Sequence, residues 1–215
     1  MRKLLLAATL AVGLAAPAAH ADLIFNFQPA DTFSGTAPVG SLSADFHTVS
    51  PGTVDLTLTS NLGPGEFVLH DGFYFNLNPT LNPTLLSFSL LSDTGGTSGP
   101  ATVSLGVDSF KPDGDGLMDI QLTWGGSVHG FTNGEAEAYQ ITGIPGLTAS
   151  DFNFASNCSQ GCGSGAHFAA VHVSDASSGW VGTDDPPPAV PEPASLTLFG
   201  VGLAALGLVR RRLFS

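Results

Sequence analysis

The sequence predicts an all-β domain of two packed antiparallel sheets, a β-sandwich or jelly roll, carried between an N-terminal signal helix and a C-terminal transmembrane helix. Three observations predict it. Apolar and polar residues alternate in short runs through the middle of the chain, the pattern of half-buried strands. Gly and Pro, 27 and 15 of the 215 residues, punctuate those runs and mark turns. The middle shows little sign of apolar residues at helical spacing, whereas each end carries a continuous apolar run beside basic residues.

Residues 23–27 alternate toward Phe25 and Phe27 and predict a first strand. Residues 28–40, with Pro29, Gly35, Pro38 and Gly40, predict a loop. Residues 41–49 predict a second strand and Ser50-Pro51-Gly52 a turn. Residues 53–59 alternate most cleanly: Val54, Leu56 and Leu58 face one way and Thr53, Asp55, Thr57 and Thr59 the other, as in an antiparallel sheet with one wet face. Residues 61–65 turn the chain. Phe67, Leu69, Phe73, Phe75 and Leu77 then occupy odd positions around His70-Asp71-Gly72, which predicts two strands or one bulged strand. The tandem Asn-Pro-Thr-Leu of residues 78–85 predicts two consecutive turns. Leu86, Phe88 and Leu90 supply another inward face, 93–100 a Gly/Ser/Thr loop, and Val103, Leu105 and Val107 the next strand. Met118, Ile120, Leu122 and Trp124 follow an acidic loop and stop at Gly125-Gly126. Residues 135–142 suit either helix or strand. Phe152 and Phe154 alternate before a cysteine loop, and 166–173 predict the last core strand. Residues 184–193 form a linker that Pro186-Pro187-Pro188 stiffens.

The ends read as addresses. Arg2 and Lys3 precede an apolar stretch over 4–16, and Ala19-His20-Ala21 places small residues where a signal peptidase reads them. Residues 1–21 therefore predict a secretory signal peptide, cut between Ala21 and Asp22. An uncleaved anchor is the competing reading, disfavoured by the short apolar run. At the far end, Val190-Pro191-Glu192-Pro193 leads into an uncharged run over 194–209 and then Arg210-Arg211-Arg212 in a tail of residues 210–215. As a helix the run spans about 24 Å. The hydrocarbon core is about 30 Å thick, a difference that snorkelling arginines and local thinning would cover. The arginines mark the cytoplasmic end. Residues 22–183 are left as the body.

This tripartite tail resembles the PEP-CTERM sorting signal, with the VPEP form at Val190, Pro191, Glu192 and Pro193, then the apolar run, then Arg210, Arg211 and Arg212. The resemblance implies processing by exosortase, a membrane-embedded enzyme of Gram-negative bacteria that make exopolysaccharide. It also implies a chain held in the inner membrane until processed, then placed at the cell surface or in the extracellular biofilm matrix. An ordinary C-terminal anchor with a chance Pro-Glu-Pro is the competing reading. The body resembles secreted bodies common among PEP-CTERM proteins more distantly, through residues 168–173 and Ser178-Gly179-Trp180-Val181-Gly182; such bodies mostly lack an established activity.

Charge narrows the partners. Of 18 acids only Glu192 lies outside residues 22–189, and of six basic residues only Lys111 lies inside, so residues 22–189, the body with the start of its linker, carry a formal charge of −16. Nucleic acid is disfavoured because phosphate binding needs Lys and Arg, and anionic lipid for the same reason. Such a body attracts divalent cations.

Two clusters are candidate sites. Asp108, Asp113, Asp115 and Asp119 surround Gly114 and Gly116, and alternate carboxylates between glycines can wrap calcium, which takes six to eight oxygens. Asp113, Asp115 and Asp119 are the candidate ligands. The loop lacks the third alternate Asp and the terminal Glu of an EF-hand, and a solvated acidic hairpin turn is the competing reading. Cys158 and Cys162, followed by His167 and His172, have spacings similar to a zinc knuckle. In an exported body the two cysteines pair as a disulfide instead. No Gly-x-Ser-x-Gly, His-Glu-x-x-His or convincing Cys–His arrangement is present, and His47, His70 and His129 are scattered. Trp124, Tyr139, Trp180 and Tyr74 would make a sugar-stacking platform if exposed in a row; strand-rich bodies more often bury such residues. The expectation is a non-enzymatic exported protein without a catalytic site. A carbohydrate-binding module for exopolysaccharide, with calcium assisting, is the alternative, and a secreted hydrolase with a positioned acid pair a third.

Overall fold

Thirteen strands, all in antiparallel pairs, build the protein in a computed structural model that describes residues 22–96, 99–125, 130–174 and 178–183. In chain order they are β1 (Leu23–Phe27), β2 (Thr32–Gly35), β3 (Ser41–Ser50), β4 (Thr53–Asn61), β5 (Phe67–Val68), β6 (Phe73–Phe75), β7 (Ser87–Thr94), β8 (Thr102–Phe110), β9 (Met118–Thr123), β10 (Phe131–Thr132), β11 (Ala136–Thr142), β12 (Ala169–Val173) and β13 (Gly179–Gly182). One sheet runs β1-β3-β4-β11-β7 and the other β2-β13-β12-β6-β9-β8, with β5 and β10 as a separate ribbon. The helical turns are short 3-10 pieces. Among the described residues no helix is long and apolar enough to cross a membrane. The expected signal and transmembrane helices lie outside the described residues.

Strand register follows the alternation. Val54, Leu56 and Leu58 of β4 are wholly buried while their neighbours face outward. Pro51-Gly52 closes β3 onto β4, and Gly52 takes the positive φ of 92° that this turn requires. The two sheets meet face to face through aromatic rings. Phe46 of β3 packs edge-on against Phe25 and Phe75 at 6.0 and 5.1 Å and stacks on Phe152 at 4.5 Å. Phe27 meets Phe73 edge-on at 5.5 Å. A second, smaller cluster lies on the other face of the six-stranded sheet. There Tyr74, Met118, Ala170 and Trp180 gather with Phe33 and Phe110, while the neighbouring Phe73, Phe75, Ala169 and Val171 point into the main core.

One acid sits inside the main core. Glu137 of β11 accepts hydrogen bonds from Trp124 Nε1 at 2.6 Å, from the Tyr139 hydroxyl, and from Ala101 N at 3.2 Å. Trp124 follows β9 and Ala101 precedes β8, so both reach it from the six-stranded side. Burial pushes the Glu137 pKa up, and the bonds from Tyr139, Trp124 and Ala101 pull it part of the way back.

Some elements depart from expectation, and others settle or match it. Residues 28–40 contain β2, an edge strand of the second sheet held by β13. The segment at 66–77 makes two strands, β5 and β6, which lie in different sheets. Residues 135–142, ambiguous in sequence, form β11 between β4 and β7. Phe152 ends a 3-10 turn, Ala149–Phe152, rather than a strand. β12 is followed by β13 and is not the last strand. The tandem Asn-Pro-Thr-Leu makes two matching turns: Asn78 Oδ1 accepts from Thr80 N and Oγ1 at 3.1 and 2.8 Å, and Asn82 Oδ1 from Thr84 N and Oγ1 at 3.0 and 2.8 Å.

Phe46→Ala removes the ring that joins both sheets, and the expected loss is about 3–5 kcal/mol, read as a lower denaturant midpoint. Glu137 binds its proton more tightly folded than unfolded, so its contribution is fully present below the ordinary carboxylate range and lost as pH rises through its folded pKa. The unfolding free energy of the wild type relative to Glu137→Gln is therefore expected to fall as pH rises from about 4 toward neutrality, measured by denaturant titration of both proteins across that range.

Candidate functional site

The acidic loop and the cysteine loop are stitched together. Leu117 and Asn157 exchange backbone bonds of 2.9 and 2.8 Å, and Ser164 donates to Gly114 O from its backbone N at 3.0 Å and its hydroxyl at 2.6 Å. Lys111 Nζ, the body's single Lys or Arg, donates to Gln160 O at 2.9 Å rather than to an acid.

Each candidate calcium ligand is engaged separately. Asp113 is exposed and accepts from Ser34 Oγ at 3.3 Å. Asp115 is fully buried: its Oδ1 accepts from Gly116 N at 2.6 Å, Ser156 Oγ at 2.5 Å and His167 N at 3.3 Å, and its Oδ2 lies 3.1 Å from His167 Nδ1. Asp119 Oδ1 accepts from Asp108 N at 2.8 Å and its Oδ2 from Leu77 N at 3.1 Å. Burial raises the Asp119 pKa; the two N–H donors lower it, and the nearby Asp108 charge raises it. Asp108 adopts a positive φ of 47° at the bulge of β8 and accepts from Asn157 Nδ2 at 2.7 Å. The structure thus brings Asp115 and Asp119 onto different donors rather than around one point. Among the described residues no group of three or more His, Cys, Asp and Glu is arranged to hold a metal ion. A cation at Asp115 or Asp119 would have to displace N–H and O–H donors already in place.

Cys158 and Cys162 form a disulfide with a Cα–Cα distance of 5.2 Å. The enclosed loop is very small, so the bond contributes about 2 kcal/mol at most in the chain-entropy account. The two histidines do not converge on it. His167 stacks on Phe33 at 4.3 Å, in a slot that Gly182 leaves open; a Cβ there would lie 2.3 Å from the imidazole. His172 of β12 lies 3.5 Å from Asp71 and 4.6 Å from the Trp180 ring. Burial lowers its pKa, while Asp71 and Asp113 raise it.

Of the other imidazoles, His47 bonds to Asp22 on the surface, and that bond is the main cause of its raised pKa. His70 is exposed, and His129 lies outside the described residues. The four candidate stacking aromatics are all buried; the most exposed, Trp180, shows 8% of its surface, so they form no open platform. Ser156 escaped sequence reasoning altogether. It reaches Asp115 across 41 residues of chain, and no local spacing signals such a partner. Ala19, Ala21, Val190, Pro191, Glu192, Pro193, Arg210, Arg211 and Arg212 lie outside the described residues; Asp22 is the first residue described.

Asp115→Ala leaves Ser156 Oγ, Gly116 N and His167 without their shared acceptor and is expected to cost about 3 kcal/mol. Removing the disulfide through Cys158→Ser with Cys162→Ser is expected to cost less, about 2 kcal/mol or below. Parallel denaturation of the two variants checks the order.

Comparison with known proteins locates one functional segment. No curated protein and no solved structure matches the chain. A family model described as the PEP-CTERM protein-sorting motif matches residues 189–212. The chain therefore carries a PEP-CTERM sorting motif on a β-rich body, and the motif implies a secreted protein that is anchored in the membrane and then processed by exosortase.

Proposed function

We propose that the body is a non-enzymatic surface or matrix module, delivered by a signal peptide, held by the 194–209 segment, and released or attached into an exopolysaccharide matrix after exosortase processing. The single observation that carries this reading is the sorting motif over residues 189–212. The body's chemistry supports it. Asp115, Asp119, Glu66 and Asp151 each accept hydrogen bonds from the chain's own backbone, so these acids act as structural fasteners rather than as a free acid–base pair. Catalytic carboxylates need a cleft and an uncommitted oxygen facing it. In this reading the module needs no cofactor, its processing partners are signal peptidase and exosortase, and its contacts with the matrix are made by an acidic, strand-rich surface.

The test compares cells with and without exosortase. The C-terminus of the recovered protein, mapped by mass spectrometry, is expected to be shortened in the first and intact in the second, with the protein retained in the inner membrane in the second. Deleting residues 190–215 is expected to change where the protein accumulates; unchanged accumulation would refute the reading.

A further inference from the structure

Cys158 and Cys162 are the chain's only cysteines, and their bond spans a separation of four residues. The stems on either side are held without it. Ser156 N donates to His167 O at 2.9 Å and ties the two stems directly. Asn157 exchanges backbone bonds with Leu117 and donates its Nδ2 to Asp108 at 2.7 Å, while Ser164 bonds to Gly114 O through both its N and its hydroxyl. Between these fastenings the disulfide closes a very short ring, and so short a loop adds little by chain entropy. As a staple the bond is redundant.

Its setting suits a reactive bond instead. Residues 157–161 are exposed, Cys162 is half-buried, and residues 163–166 are exposed again. Cys162 Sγ backs onto the acidic loop: it lies 4.0 Å from Ser156 Oγ and 2.8 Å from where a Cβ on Gly116 would sit. Cys158 is the open end. Lys111, the body's single Lys or Arg, donates to Gln160 O inside the ring at 2.9 Å. Attack on a disulfide brings in one thiolate and releases another, and a neighbouring ammonium favours a thiolate. In so acidic a body, the one cation sits on the one bond whose opening creates an anionic sulfur.

We propose that the Cys158–Cys162 disulfide is a thiol-exchange site, at which an incoming thiol is joined covalently to Cys158 with Lys111 beside the ring to favour the reacting sulfurs. The thiolate attacks Cys158 Sγ. A new S–S bond forms there as the Cys158–Cys162 bond breaks, and Cys162 leaves as a thiolate that takes a proton from water. The disulfide is passed on, with no net oxidation or reduction. The fastened stems keep Cys162 beside the adduct, so it can return, expel the added thiol and close the ring again. Lys111 is a positioning residue here: its charge offsets that of the arriving and departing sulfurs. A thiol on a small molecule and one on another protein offer the same chemistry, and neither depends on the sorting motif.

The test mixes the full chain, in a mild non-ionic detergent, with free cysteine or with an unfolded protein carrying one thiol, then quenches in acid and maps the adduct by mass spectrometry. Adducts are expected on Cys158 in preference to Cys162, with circular dichroism unchanged. The rate with cysteine is expected to lie within about tenfold of the rate in denaturant, as for an accessible disulfide. The thiol that reacts faster identifies the preferred source. Lys111→Gln, exposed and outside the ring, is expected to slow the exchange at least about twofold at low salt and to match the wild type at high salt; Lys111→Arg is expected to restore the low-salt rate. A merely structural lysine would show no such salt dependence. A native bond that opens more than about tenfold slower than in denaturant, or that reacts mainly at Cys162, overturns the proposal. So does a Lys111→Gln rate equal to the wild type's at low salt, and so does loss of the fold when the bond opens.

Discussion

A carboxylate inside the sandwich fixes how its two sheets face each other. Hydrophobic burial drives the sheets together but has no direction. Glu137 supplies direction: it projects from the middle of one sheet and takes its donors, the Trp124 indole and the Ala101 amide, from segments that flank strands of the other. A buried acid is costly unless its oxygens are satisfied. Any slip of β11 against β9 would leave this one stranded, so the bonds select one registration of the aromatic core. Elsewhere the chain repeats the device. With a single Lys and no Arg in the body, its acids find partners in backbone N–H groups. Glu66 gathers the amides of Val39, Gly40 and Gly63, Asp119 those of Asp108 and Leu77, and Asp151 that of Thr148. A strongly acidic composition that reads in sequence as surface charge is in part an internal scaffold.

Alternation made much of the fold legible. β3 and β4 lie where period-two patterning places them, because each buries one complete face; β9 follows it at Ile120 and Leu122, while Met118 joins the second cluster. β11 stayed ambiguous because its inward face includes a glutamate, which the binary pattern assigns to solvent. β2 and β13 are short, Gly-ended segments that stabilise each other across the length of the chain, and neither carries a periodic run long enough to see. Periodicity also says which face a residue takes, not whether a neighbour covers it. Leu90 and Val107 follow an inward pattern yet are exposed, one on an edge strand and one on a bulge.

The candidate sites divide along the same line. The sorting motif is linear, so its chemistry is complete in one stretch of sequence and needed no fold to be read. The acidic loop is not linear in this sense. Asp113, Asp115 and Asp119 alternate like cation ligands, but the fate of Asp115 is set by Ser156 and His167, which arrive from a distant loop. The aromatics show the converse. Tyr74 and Trp180 lie on the outer face of a sheet, where a binding platform would sit, and a second small core closes over them.

The order in which the strands enter their sheets bears on how such a chain is made. Among the described strands, β7 joins the five-stranded sheet through β11, and β2 is joined to β6 through β13 and β12. Neither sheet closes until residues beyond 136 are available, and most pairings span long stretches of chain. Long-range β-pairing is slow for this reason. A polypeptide threaded through a membrane with its N-terminus leading would keep its core unformed until nearly the whole body had passed, which leaves it slack enough to be transported and commits it to its final shape only on the far side.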